Sequence, residues 1–116
     1  MMNFDTIEQS DLHKQNIEKM LDKYSDNVIY DMAYLLKILG EPSRLKIVLA
    51  LENSEMCVYH LTTAVKSNQS AVSHQLRILR ENKIIKSRRV GKNILYFLMD
   101  EHIMKIVNLV KEHVEE

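Results

Sequence analysis

Apolar residues recur every three or four positions through most of the chain, and around residues 84–99 the period shortens to two; the first spacing marks helices packed on one face, the second marks strands. From Thr6 to Tyr24, Ile7, Leu12, Ile17, Met20, Leu21 and Tyr24 predict an amphipathic first helix with a poorly ordered lead-in over residues 1–10. A second helix is expected from Asn27 to Leu39, with Val28, Met32, Leu35, Leu36 and Leu39 on one stripe and Gly40 placed to end it. Pro42 opens a third, in which Ser43 to Leu51 puts Leu45, Ile47, Val48, Leu49 and Leu51 inside and leaves Arg44 and Lys46 outside. Asn53 and Ser54 break it. A short helix at Val58–Val65, an interruption at Lys66–Asn68 and a helix at Gln69–Glu81 together read as a helix-turn-helix over 58–81. Ile84–Arg89 and Asn93–Met99, on either side of Val90-Gly91-Lys92, read as a β-hairpin over 84–99, and the chain closes with an amphipathic helix over 101–115.

The penultimate helix has two distinct faces. Val72, Leu76 and Leu79 fall at i, i+4 and i+7 and anchor it to a core. Gln69, Ser70, Ser73 and His74 lie on the other face near its N-terminus, where a recognition helix brings side chains to base edges in a major groove. Ser67, Arg77 and Arg80 suit phosphates. A plain surface helix with Ser67 as its N-cap fits the same periodicity. The hairpin adds Lys86, Arg88, Arg89 and Lys92 around a tight turn, a wing able to follow a DNA backbone; such a tip also serves solubility alone. Helix-turn-helix followed at once by a basic hairpin is more specific than either part.

Composition sharpens the class. At 116 residues this is one small domain, 1–116, with a single core and little to spare, so a second subunit is expected to stabilise it. With 46% apolar residues, 2 Gly and 1 Pro, the class is mostly α with a β-hairpin wing. No run approaches the roughly 18 apolar residues of a membrane span, and Met1 to Asp11 carries acids where a signal peptide is basic. A cytoplasmic protein without a membrane or a small-molecule substrate as partner is the expectation. One cysteine, Cys57, excludes an internal disulfide and any Cys-x-x-Cys knuckle. The net charge is zero but segregated: residues 1–43 carry four Lys and eight acids, 44–92 ten Lys/Arg and three Glu, and 93–116 two Lys and five acids. A basic centre between acidic ends is what a DNA-facing segment flanked by dimerising ends shows, though a solvated charge run produces it too.

The terminal helix holds Asp100 and His102 at its start, His113 and Glu116 at its end. Two imidazoles and two carboxylates suit a four-coordinate divalent ion such as zinc, with cobalt, nickel or cadmium as alternative occupants. His102 and His113 are eleven residues apart, about 16 Å along a helix, so one straight helix cannot wrap both pairs around one ion. Two such helices packed antiparallel across a two-fold axis bring Asp100 and His102 of one subunit to His113 and Glu116 of the other, giving two equivalent sites per dimer. The plainer reading makes Asp100 an N-cap and the last acids a solvated end. A metallohydrolase fits poorly, because four protein ligands leave no position open for water.

Ser54-Glu-Met-Cys-Val-Tyr-His-Leu, Ser70-Ala-Val-Ser-His-Gln-Leu-Arg-Ile-Leu, the hairpin, Asp-x-His with His-x-x-Glu, and Gly40-Glu-Pro-Ser-Arg-Leu-Lys-Ile together resemble the ArsR/SmtB family of winged helix-turn-helix metal-sensing repressors, over about Leu36 to Glu116. The resemblance to the zinc-sensing branch implies a homodimer joined through its N- and C-terminal helices. It further implies that Asp100, His102, His113 and Glu116 are regulatory ligands, two from each subunit, and that operator DNA is bound metal-free and released with zinc. The family's other site uses Cys-x-Cys, or Cys and a carboxylate, before the recognition helix. Here Cys57 is kept, but Tyr59 stands for the second thiolate and His60 where a carboxylate often sits, which weakens sensing of a softer metal. A remnant site from Cys57, His60 and His13 or Asp11 of a partner's arm is the alternative within the family. A metal-independent winged-helix regulator is the alternative outside it.

Overall fold

The computed structural model describes residues 11–116, in the order α1 (Asp11–Glu18), α2 (Asp26–Leu39), α3 (Pro42–Ala50), α4 (Val58–Val65), α5 (Gln69–Glu81), β1 (Ile85–Val90), β2 (Asn93–Leu98) and α6 (Glu101–Glu115). Helices and one antiparallel hairpin make a winged helix-turn-helix. The chain divides into two compact units, one ending at Tyr34 and the other comprising Leu35–Glu116.

In the first unit, α1 ends at Glu18, sooner than the periodicity predicts. Residues 1–10, including the expected lead-in and the start of that helix, lie outside the described residues. After Glu18 the chain tightens into turns, with Met20, Asp22 and Tyr24 N–H donating to carbonyls three residues back. Leu12, Ile17, Met20 and Leu21 stay exposed, so no buried face offsets the cost of ordering more helix. Ser25 Oγ accepts from Val28 N–H at 3.2 Å and caps α2.

The second unit holds the core: Ile38 and Leu39 at the end of α2, Ile47, Val48 and Leu51, Leu61, then Val72, Leu76 and Leu79 of α5, Ile84 and Ile85, and Ile103 and Val107 of α6. Three expectations need correction. The stripe expected on α2 is mostly open, with Val28, Met32 and Leu36 exposed, and Ile38 is buried beside Leu39. Leu49 is 40% exposed, because the five consecutive apolar residues from Ile47 to Leu51 cannot share one helix face. Arg44, expected outside, turns inward: its Nε donates to Ile38 O at 2.7 Å and its Nη1 to Gln75 Oε1 at 3.1 Å.

Pro42 occupies the first turn of α3, and the Glu41 carboxylate accepts from Arg44 N–H at 3.1 Å. The hairpin register is Ile85 opposite Leu98, Arg88 opposite Leu95 and Val90 opposite Asn93. Gly91 turns it at φ 62°, a conformation that favours glycine. Beyond the hairpin, Met56 pairs with Tyr96 of β2, a single-residue bridge that no periodicity marks. No helix among the described residues is long and apolar enough to cross a membrane.

Candidate nucleic-acid interface and metal ligands

The entry to α5 is set by its cap. Lys66 closes α4 in the left-handed conformation, Ser67 N–H donates back to Thr62 O at 3.1 Å, and Asn68 Oδ1 accepts from Ala71 N–H at 2.9 Å. The N-cap is therefore Asn68, where the sequence offered Ser67: the left-handed residue uses up one more position before the helix starts. Val72, Leu76 and Leu79 point down, at 2%, 2% and 0% exposure. This orientation leaves Gln69, Ser70, Ser73, His74 and Arg77 on the open face, as the spacing predicts. Gln75, which the sequence did not single out, is half-buried and tied to Arg44. Its polar type in a helix side row was the only available signal.

Strand alternation divides the wing cations. Ile85 is buried, Ser87 Oγ lies 3.5 Å from Arg80 Nη1 of α5, and Tyr96 lines a hollow of about 330 Å³ with Ser73, Arg77 and Arg80. That face of the hairpin looks toward α5. Arg89 shares it by the two-residue period, whereas Lys86 and Arg88 stand on the opposite face and Lys92 in the turn. The four cations expected as one cluster thus address two sides. All are exposed, but Arg88 is engaged: its Nε donates to both Glu55 oxygens at 3.1 Å, and this bond holds its guanidinium above the usual arginine range.

On α6 the two His–carboxylate pairs expected as ligands each come together within the chain. Asp100 is the N-cap, its Oδ1 accepting from His102 N–H at 2.9 Å and lying 3.3 Å from His102 Nδ1. Partial burial pushes the Asp100 carboxyl upward, but the His102 backbone and imidazole outweigh it and hold the group below its ordinary value. At the other end, His113 Nδ1 lies 3.5 Å from Glu116 Oε2. Ligands on a tetrahedral zinc with bonds of 2.0–2.1 Å are separated by about 3.3 Å, so either pair fits one edge of that tetrahedron. Among the described residues no three His, Cys, Asp or Glu side chains gather where one ion could be held. Along α6, Ile103 and Val107 face the core, while Leu109, Val110 and Val114 are 66%, 55% and 74% exposed.

Cys57 is the N-cap of α4, extended at φ −79° and ψ 169°, three residues before exposed His60. Asp11 and His13 belong to the first unit.

The family model described as bacterial regulatory protein, arsR family, matches residues 41–87. The chain is 47% identical over 85 residues to the transcriptional repressor SmtB homolog of Synechocystis sp., covering 73% of this chain and 64% of that relative, slightly under two thirds of its length. It is 32% identical over 117 residues to the cadmium resistance transcriptional regulatory protein CadC homolog of Staphylococcus aureus, covering 99% of this chain and 96% of the other. In structure it matches the homodimeric winged helix-turn-helix DNA-binding domain of a Mycobacterium bovis protein with a TM-score of 0.73 and 26% identity, covering 79% of this chain and 88% of that one. The basic wing, the capped reading helix and these likenesses converge: the chain belongs to the ArsR family of bacterial regulatory proteins, which are DNA-binding transcriptional regulators and not enzymes.

Proposed function

We propose that the protein is a homodimeric, zinc-responsive transcriptional repressor that binds a pseudo-palindromic operator when metal-free and releases it when zinc is bound across the dimer seam. The observation that carries this reading is the placement of two His–carboxylate pairs at opposite ends of α6, at 3.3 and 3.5 Å, each half of a tetrahedral ligand set. Exposed Leu109, Val110 and Val114 of α6 offer an apolar strip for a second α6 running antiparallel. Asp100 and His102 of one subunit then meet His113 and Glu116 of the other. When bound there, zinc supplies a crosslink between the terminal helices and no catalytic chemistry.

The DNA half follows from α5 and the wing. Gln69, Ser70, Ser73 and His74 present donors and acceptors to base edges, and Arg77, Lys86, Arg89 and Lys92 supply positive charge for the backbone. Two reading helices related by the dimer axis must reach major grooves about 34 Å apart, so a changed subunit orientation breaks simultaneous docking. Metal and DNA then favour different dimer arrangements and weaken each other equally, typically by 1–3 kcal/mol. Zinc titration with parallel DNA-binding measurements on the native protein and His102→Ala tests this. One ion per subunit, DNA release by zinc, and loss of both in His102→Ala are expected. Operator affinity that ignores zinc would select a metal-independent regulator, and tight zinc binding retained by His102→Ala would point to Cys57.

A further inference from the structure

Glu55 reaches the wing from outside the helix-turn-helix. Met56 N–H donates to Tyr96 O at 3.1 Å and Tyr96 N–H donates to Met56 O at 2.8 Å, so the segment before α4 is bridged antiparallel to β2 at this one pair. Neighbouring residues of an extended chain face opposite ways. Met56 packs against the core, and Glu55 falls on the outer side of the hairpin, where Arg88 stands. There both Glu55 oxygens accept from Arg88 Nε at 3.1 Å, and Arg88 Nη2 completes the fork to Oε2. Among the described residues this is the one Lys or Arg of stretch 44–92 with an acid at ion-pair distance.

A stabilising role explains little of it. The Arg88 and Glu55 side chains are 56% and 34% exposed, and pairs so wetted add little to folding. The main-chain bridge through Met56 already fixes the segment. What the pair does change is the charge the wing offers. Arg88 lies two residues before Val90, the end of β1, about 7 Å along the strand, so a guanidinium freed from Glu55 reaches toward the tip.

We propose that Glu55 sets the affinity of the wing for DNA: its carboxylate holds the Arg88 guanidinium and so withholds one cation from the backbone phosphates. The proposal rests on the DNA-binding reading above. Carboxylate and phosphate compete for the same N–H donors, and the two-pronged fork keeps them on Glu55. The wing therefore binds less tightly than its count of cations implies.

Glu55→Gln keeps the shape and removes the charge. Because phosphate contacts are indifferent to sequence, a short duplex of arbitrary sequence serves as the probe, with binding followed by fluorescence anisotropy between about 50 and 200 mM salt. A freed Arg88 adds one contact and steepens the log–log salt dependence by about 0.9, so Glu55→Gln binds more tightly at low salt and its advantage shrinks about three- to fourfold across that range. In an Arg88→Gln background, the Glu55→Gln change leaves the slope as it was. A native slope in Glu55→Gln, weaker binding by that variant, or the same steepening without Arg88 overturns the proposal alone. Failure of the native protein to bind any duplex overturns the DNA reading as well.

Discussion

Truncating Leu79 to alanine, set beside truncation of His74 on the opposite face of α5, separates what holds the reading helix from what reads. Leu79 is 0% exposed and His74 is exposed. Leu→Ala removes three buried carbons, about 0.8 kcal/mol each, or about 2.4 kcal/mol of transfer free energy. The cavity left among Val72, Leu76, Ile84 and Ile85 raises the loss to about 3–5 kcal/mol, a large part of the roughly 5–15 kcal/mol that stabilises a domain. His74→Ala leaves the core untouched and stays within about 0.5 kcal/mol. Urea unfolding followed by far-ultraviolet circular dichroism measures both, at one protein concentration because a dimer's stability depends on it. Binding to a duplex selected from a random pool then measures readout. Leu79→Ala is expected to lower the unfolding midpoint strongly, whereas His74→Ala keeps the midpoint and binds about tenfold more weakly, the scale of one lost base contact. Equal midpoint losses in the two variants, or a Leu79→Ala loss under about 1 kcal/mol, would refute this division of faces.

Two further perturbations address the frame around that helix. Arg44→Met removes the guanidinium that bridges Ile38 O and Gln75, and is expected to cost about 1–3 kcal/mol in the same urea assay; a neutral result would show the fork to be idle. The Glu41 carboxyl is held below its ordinary value chiefly by Ser43 N–H, with Arg44 assisting against the opposing effect of desolvation. A lowered folded value means stability that is present above the unfolded carboxylate pKa and lost as pH falls through the folded one. Glu41→Gln should accordingly flatten the acid side of the stability–pH curve, and unchanged steepness there would remove the cap from the account.

Much of this architecture was legible because strong local signals agreed. Pro42 at a helix start, Gly91 in a two-residue turn and Asp100 before an amphipathic run each carry a backbone requirement, and the observed elements begin and end within a residue or two of those marks. The i, i+4, i+7 row of α5 was equally plain. What failed depended on neighbours distant in sequence. Arg44 reads as a surface charge until Ile38 O and Gln75 are placed beside it, and Leu49 reads as core until α3 is oriented. The Met56–Tyr96 bridge has no period to detect, and without it nothing links Glu55 to Arg88. Ser67 reads as the cap of α5 until the left-handed turn at Lys66 is placed, and the cap is Asn68. The wing cations were identifiable, and their division between two faces was available from strand alternation alone. The four residues proposed as zinc ligands were legible as pairs, because Asp-x-His at a cap and His-x-x-Glu on a helix end are local geometry. Their proposed union across a seam is a property of two chains.

That union is open to a direct complementation measurement. His102→Ala breaks both seam sites of its homodimer, and so does His113→Ala. In a mixed dimer carrying one of each, both lost imidazoles fall in the same site, and the other site keeps Asp100 and His102 from one chain with His113 and Glu116 from its partner. Zinc titration of the purified mixed dimer is predicted to recover one ion bound with native affinity, alongside homodimers that bind none so tightly. A mixed dimer no better than either homodimer would contradict a site shared between subunits.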